Sequence, residues 1–228
     1  MKFYLLLFSI CVASLNCQQK NDNAKKKFTG WTSHNVNGKV KEITIKSYKT
    51  DSLHNTKTLE GLYHNFQFTT NGDELEYNIY DKNNDLKFKS VPTYKNGKIS
   101  GSIVNHIEEK ISETWVIKKY LLGFYGGEIE CYIDKKLVKK AVNTVNEKGH
   151  QKRLKLFSNG KLIFEKSFDY DKNENMTGST ENSYANDTVY SIKYSFIYNE
   201  FDKNKNWTKR TDVVNGKYLT TERVLDYY

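Results

Sequence analysis

Side chains that commonly act as metal ligands, nucleophiles or general bases are few and widely spaced in this sequence. The five histidines never form a His-x-His or His-x-x-x-His pair, so local spacing predicts no metal site. Cys131 lies on the apolar side of an alternating segment, where a free thiol behaves as a small hydrophobic group. A Cys131 nucleophile served by His106 or His150 is the alternative, but no local catalytic signature surrounds the cysteine.

The acidic residues do not form a recognisable catalytic pair either. Glu108 and Glu109 are adjacent and would point to opposite faces of a strand, while Asp169 and Asp171 border a turn. The turns that start at Asp171 and Asp202 resemble the first half of an EF-hand calcium loop, but they lack its glycine at position six and its glutamate at position twelve. We therefore predict a non-catalytic protein with no metal and no other cofactor.

The first seventeen residues have the features of an export signal. A lysine precedes an apolar run over residues 3–13, which is about half the length needed to cross a bilayer. Cys17 follows this run, and its placement resembles the cleavage site of bacterial lipoproteins. The resemblance implies a signal peptide over residues 1–17, lipidation of Cys17, and a membrane anchor formed by the acyl chains. The polar stretch over residues 18–30 would then be a solvated tether.

This resemblance predicts a lipoprotein anchored to the outer membrane, facing either the periplasm or the cell surface. The alternative is ordinary cleavage near Ala13 or Ser14, which would leave a soluble secreted protein. Only Cys131 remains after the signal, so the mature chain can form no internal disulfide and must rely on packing.

The basic charge does not indicate nucleic-acid binding. The net charge is +9, yet the only arginines are Arg153, Arg210 and Arg223. Lysine lacks the planar fork that reads bases and phosphates, and no arginine cluster is present. We predict no nucleic-acid partner and expect many of the lysines to protect strand edges from association.

Turn signals recur along the whole chain and predict an all-β fold. Asn-Gly pairs between alternating segments favour hairpins, because type I′ turns need a positive φ at both central residues. The segment Tyr190–Tyr198 alternates without a break, and the segment Leu162–Tyr170 alternates with Lys166 interrupting its apolar phase. The predicted turns are centred on residues 37–38, 71–72, 83–84, 96–97, 126–127, 134–135, 148–149, 159–160, 173–174, 186–187, 204–205 and 215–216.

Two segments are ambiguous. Ser52–Asn65 carries leucines without alternation and predicts a loop or one short helix. Val104–Leu122 places Ile107, Ile111 and Trp115 at helical spacing, but its β-prone residues also permit a strand, which we favour.

Several hairpins resemble one another and two known repeat families. The segments 93–101, 156–162 and 214–219 share an Asn-Gly-Lys core that resembles the MORN-type variant repeats of exported bacterial proteins. The segments 170–176 and 201–210 resemble the Tyr-Asp repeats of RHS-type proteins. The resemblance covers about residues 70–228 and implies stacked hairpins, and we assign residues 31–228 to a single β-repeat domain. We therefore predict an antiparallel meander that forms one extended or curled, half-barrel-like sheet.

The predicted function is that of a non-catalytic envelope lipoprotein. Its aromatic- and lysine-bearing sheet would bind an envelope protein or a glycan of unknown identity. The alternative is a carrier that holds a lipid or another apolar ligand in the curled sheet, and an inhibitor of a secreted toxin also remains open.

Overall fold

The computed structural model describes residues 29–50, 57–121, 125–146, 150–172, 175–186 and 188–228. The predicted signal, Cys17 and nearly all of the predicted tether lie outside these ranges, as does His54. A short helix, α1 (Gly30–Ser33), precedes fifteen strands. The strands are β1 Val40–Thr50, β2 Lys57–Leu59, β3 Tyr63–Phe68, β4 Glu74–Tyr80, β5 Leu86–Lys95, β6 Lys98–His106, β7 Ile111–Leu121, β8 Tyr125–Ile133, β9 Lys136–Val145, β10 Gln151–Ser158, β11 Lys161–Tyr170, β12 Met176–Ala185, β13 Thr188–Phe201, β14 Trp207–Val214 and β15 Lys217–Tyr227.

The strands form an antiparallel meander that closes into a 14-stranded barrel. From β3 to β15 each strand pairs with its neighbour in sequence, and β1 joins β3 to β15. The closing ladder runs from Val40 opposite Tyr227 to Tyr48 opposite Thr220. The short β2 pairs only with the second half of β1 and adds a fifteenth strand outside the closed ring.

The prediction of an all-β antiparallel meander is confirmed, whereas the prediction of an open, half-barrel-like sheet is wrong. Closure satisfies the backbone N–H and C=O groups that both end strands of an open ribbon would expose. Local turn signals cannot reveal this pairing, because it joins residues that are about 180 positions apart in the chain.

Three of the five Asn-Gly pairs have the backbone geometry that the sequence predicts. At residues 37–38 and 71–72 only the glycine has a positive φ, and residues 37–38 lead from α1 into β1, so the prediction of a hairpin there is wrong. In the β5–β6, β10–β11 and β14–β15 turns, both the asparagine and the glycine have positive φ, between 47° and 80°. The glycine pair Gly126–Gly127 is an exception, because both residues lie inside β8 rather than in a turn. At Gly127 a Cβ atom would lie 2.7 Å from the Leu121 side chain, so close packing between β7 and β8 accounts for the glycine there.

Both ambiguous segments contain strands. The described part of Ser52–Asn65, residues 57–65, holds β2 and the start of β3, so the prediction of a loop or short helix is wrong there, while residues 52–56 lie outside the described residues. Val104–Leu122 is confirmed as β structure, since it contains the end of β6, a tight turn and β7. Trp115 is buried on the inner face of β7, opposite Cys131 on β8.

The Asp-rich turns are closed by their own aspartates. At the β13–β14 turn, Asp202 Oδ1 accepts hydrogen bonds from the backbone N–H groups of Asn204 and Asn206, both at 2.9 Å. Asp81 does the same in the β4–β5 turn, and Asp171 accepts from the Asn175 N–H at 2.9 Å. This repeated Asx-type closure explains the acidic pattern without a calcium ion.

The apolar core lies inside the barrel along β1 and β3–β11, and Trp31, His34 and Val36 pack against it. The Trp31 indole donates from Nε1 to the Val40 carbonyl oxygen at 2.5 Å and lies against Gly72. A Cβ atom at Gly72 would come within 2.6 Å of that indole, and its φ of +83° also requires glycine. The core side chains are Val40, Ile43, Phe66, Phe68, Tyr77, Ile79, Phe88, Val104, Trp115, Ile129, Cys131, Ala141, Leu154, Leu156 and Phe164.

Candidate functional site

The barrel interior also contains charged side chains that alternate in register with the apolar core. Because successive residues of a strand face opposite sides, residues in phase with the buried apolar positions point inward. The inward-facing charged residues of the described chain include Glu113, Lys139, Lys166, Glu181, Arg210, Asp212 and Arg223. Most of them lie in groups in which acidic and basic side chains pair with each other.

The first group surrounds Glu113 on β7. Its carboxylate accepts hydrogen bonds from Lys139 Nζ at 2.7 Å and from the Trp115 indole N–H at 2.9 Å, and His106 Nε2 lies 3.6 Å away. Burial alone would raise the pKa of Glu113, but the contacts with His106, Lys139 and Trp115 lower this pKa to about 2. Glu113 is therefore ionised at neutral pH and has no proton to donate as a general acid.

The second group joins β11, β12 and β13. Lys166 Nζ lies 2.8 Å from Glu181 Oε1, and the Tyr194 hydroxyl donates to the other carboxylate oxygen at 3.4 Å. Burial, with a contribution from Lys166, lowers the pKa of His64 on β3 to about 4. β3 and β11 are not neighbours in the sheet, and His64 and Lys166 are both in the inward-facing phase of their strands.

The third group lies on β14 and β15. Arg210 Nε is 2.6 Å from Asp212 Oδ1, and Arg210 Nη2 donates to Oδ2 at 3.1 Å. The Thr221 hydroxyl donates to the same Oδ2 at 2.7 Å, and Ser47 on β1 lies 2.9 Å from that hydroxyl. This network therefore crosses the seam where the barrel closes.

Two of the candidate catalytic residues, Cys131 and His106, both lie beside the Glu113 carboxylate. Cys131 is buried, and burial together with the nearby Glu113 carboxylate raises the pKa of its thiol, which opposes thiolate formation. His106 contacts Glu113, whereas His150 packs against Tyr170 on a different strand. Within the described ranges, no three His, Cys, Asp or Glu side chains are placed to hold a metal ion.

The outer face of the barrel carries ion pairs between neighbouring strands. Lys140 on β9 lies 2.8 Å from Glu128 on β8, and Arg153 on β10 lies 3.0 Å from Glu165 on β11. In each of these pairs at least one side chain is exposed by 37% or more, and the pairs are distributed around the barrel. Further pairs of this kind are Lys41–Asp226, Lys57–Glu222, Lys89–Glu76, Lys118–Glu130 and Lys209–Glu200.

Exposed apolar side chains lie on the outer face of β13 and β15. Ile197 is 54% exposed, Tyr218 68% and Val224 66%. Lys193 and Lys209 also face outward on β13 and β14. We call these five residues the outer β13–β15 surface.

The inward charged groups were not predicted from the sequence, although one signal was present. Lys166 stands at an apolar position of an otherwise alternating strand. A charge at such a buried position needs a partner of opposite charge. That partner, Glu181, is on the next strand, and identifying it requires the register between β11 and β12.

None of the helices within the described ranges is long and apolar enough to cross a membrane. No protein-family model matches the sequence, and no curated protein sequence matches it. Among solved structures, a porin-like protein from Bacteroides uniformis is similar with a TM-score of 0.50 and 10% identity, over 83% of this chain and 99% of that one. A porin-like protein from Bacteroides vulgatus gives a TM-score of 0.46 and 13% identity, over 83% and 98%. At these identities the first likeness shows a shared barrel fold and does not extend to function.

Proposed function

We propose that this protein is a non-catalytic envelope lipoprotein whose barrel stands in water beside the membrane and binds a partner through the outer β13–β15 surface. The acyl chains on Cys17 would hold it at the outer membrane. The lipid anchor, and not the barrel, would then attach the protein to the membrane. The partner would be another envelope protein or a glycan.

The observation that carries this proposal is the set of ion pairs around the outer face. A membrane-spanning barrel presents an apolar band about 25 Å tall to lipid, and a Lys or Arg at its middle costs about 2–4 kcal/mol. The outer faces of β8–β11 instead carry Glu128, Glu130, Lys140, Arg153 and Glu165. Such a surface is suited to water.

The first experiment separates a lipid anchor from an embedded barrel. The full chain and its Cys17→Ala variant are expressed in a Gram-negative host, and membranes are washed with alkaline carbonate. We expect the wild-type chain to remain with the membrane and Cys17→Ala to be released, while Cys11→Ala, which changes the other signal cysteine, behaves as wild type. Retention of Cys17→Ala in the washed membrane would contradict the proposal.

The second experiment tests the outer β13–β15 surface. Proteins and glycans that bind the immobilised wild-type chain in envelope extracts are compared with those that bind Tyr218→Ser and Val224→Ser. The matched control is Ile103→Ser, because Ile103 is 42% exposed on the outer face of distant β6. The proposal requires a partner that is lost with the first two variants and kept with the control; equal recovery by all variants would refute this use of the surface.

The alternative of an apolar carrier is less well supported by the interior. Phe66, Ile79, Phe88 and Leu154 are buried inside the barrel and belong to one packed cluster, so this region is filled by the protein's own side chains. Much of the remaining inner surface carries charged groups, including Lys166. A lipid chain would have to displace or desolvate both.

A further inference from the structure

Arg223 on β15 is the one arginine of the three without an acidic partner among the described residues. Arg153 pairs with Glu165 on the outer face, and Arg210 pairs with Asp212 inside the barrel. Arg223 is only 3% exposed, and its Nη2 donates to the His34 carbonyl oxygen at 2.9 Å. Its Nε and Nη1 are buried and have no hydrogen-bond partner anywhere in the described ranges.

A second guanidinium and an indole lie beside these unpartnered donors. The Arg223 guanidinium carbon is 4.9 Å from the centroid of the Trp207 ring, and the Arg210 guanidinium carbon is 4.8 Å from the same centroid. Arg210 also lies over Phe196, at 4.2 Å. Two positive groups therefore share one aromatic surface, and Trp207 and Arg210 are only partly buried.

The carboxylate that acts electrostatically on Arg223 is already hydrogen-bonded to other groups. Asp202 interacts electrostatically with Arg223, but its carboxylate accepts from the N–H groups of Asn204 and Asn206 and from the Tyr227 hydroxyl. Burial lowers the pKa of Arg223 to about 10, and repulsion by Arg210 contributes to the shift. Arg223 still carries its charge at neutral pH. Leaving such a buried charge without a partner costs free energy, which an anion would recover.

We propose that Arg223, Arg210 and Trp207 form a binding site inside the barrel for an oxyanion group, namely a carboxylate, phosphate or sulfate. Each edge of a guanidinium presents two parallel N–H donors that match two oxygens of such a group. On Arg223 the two edges are Nε with Nη2 and Nη1 with Nη2, and Nη2 has a second hydrogen besides the one that it donates to His34. Arg223 would supply the vacant donors, Arg210 would add positive potential, and the indole would hold both guanidinium groups in place by cation–π contact. This site is distinct from the outer β13–β15 surface.

The test uses the fact that the chain contains only three arginines. The Nε–H signals of the ¹⁵N-labelled full chain carrying Cys17→Ala are followed by NMR during titration with sodium phosphate, sulfate or acetate, with chloride used to hold the ionic strength constant. We expect the Arg223 signal to shift saturably with at least one of the three anions while the Arg153 signal stays in place. The three titrations distinguish among phosphate, sulfate and carboxylate recognition. An unmoved Arg223 signal in all three would overturn the proposal.

Variants then assign the binding to the guanidinium. Calorimetry should show affinity for the active anion reduced at least tenfold in Arg223→Met, whereas Arg153→Met should bind as wild type. If Arg223→Met does not fold, the NMR titration of the chain with its three arginines intact still decides the question. Wild-type affinity in a folded Arg223→Met variant would also refute the site.

Discussion

Removal of the buried carboxylate of Glu113 should make the stability of the barrel less dependent on acid. In the wild-type chain the Glu113 carboxylate accepts from Trp115 Nε1 at 2.9 Å and from Lys139 Nζ at 2.7 Å, and Glu113→Gln replaces this ionised acceptor with a neutral amide. The pKa of Glu113 falls from 4.5 to about 2 because contacts with His106, Lys139 and Trp115 outweigh the cost of burial. The ionised form is therefore favoured in the folded protein.

The sign and size of the effect follow from this shift. A carboxyl whose pKa is lower in the folded state contributes stability above its unfolded pKa, and this contribution is lost as the pH falls from 4.5 towards 2. A difference of about 2.5 pH units corresponds to about 3 kcal/mol at neutral pH. At neutral pH the free energy of unfolding of the wild-type chain should exceed that of Glu113→Gln by about that amount. This difference should narrow by about 1.4 kcal/mol for each pH unit below 4.5.

The assay is urea unfolding of both chains, followed by circular dichroism at pH 7, 5, 4 and 3. Glu128→Gln is the matched control. Lys140 lowers the pKa of Glu128 as well, but this pair is partly exposed on the outer face. Its stability gap from wild type should change much less with pH. A gap between wild type and Glu113→Gln that stays constant from pH 7 to pH 3 would show that the Glu113 cluster does not hold its carboxylate in the ionised form.

Two further predictions concern packing. Gly101→Ala on β6 should lower the free energy of unfolding by about 1–3 kcal/mol in urea titrations, because its Cβ would lie 1.9 Å from the Trp115 carbonyl oxygen and the backbone must move. The control Gly160→Ala, whose Cβ would meet open space at a φ of +75°, should lower it by only about 1 kcal/mol. Equal losses in the two variants would contradict the steric argument. The second prediction is tested in a chain whose two signal cysteines are replaced by serine. The Cys131 thiol of that chain should react with a disulfide reagent only after unfolding, because the thiol is fully buried and its pKa is raised. Rapid reaction of the native chain would disprove this.

Much of the fold follows from local turn chemistry. Asn96, Asn159 and Asn215 adopt the positive φ that the following glycine also has, and this geometry reverses the chain at three of the five Asn-Gly pairs. The same rule fails at Gly126–Gly127, where the glycines serve strand packing instead. A local pattern cannot separate these uses, because both need a residue without a side chain.

The candidate site was predictable only in part. The apolar phases of the strands indicate which faces are buried, and Cys131 lies in the core as its alternation predicts. The same alternation does not indicate that Arg223 would lie unpaired beside Trp207, since these residues lie on different strands and come together only through side-chain packing. Likewise, Asn206 contacts the backbone of Asn37 across most of the chain length.

The amino-acid sequence by itself determined the β class, the antiparallel hairpins and their turns, because hydrogen bonding and φ preferences in a tight turn act between residues a few positions apart. The tertiary structure alone decided that β1 meets β15, that the sheet therefore closes, and which charges end up inside. Closure depends on the accumulated twist and register of all the intervening strands, and each contributes a small rotation that local residues do not reveal. The pairing of Lys166 with Glu181 and the isolation of Arg223 both depend on that register.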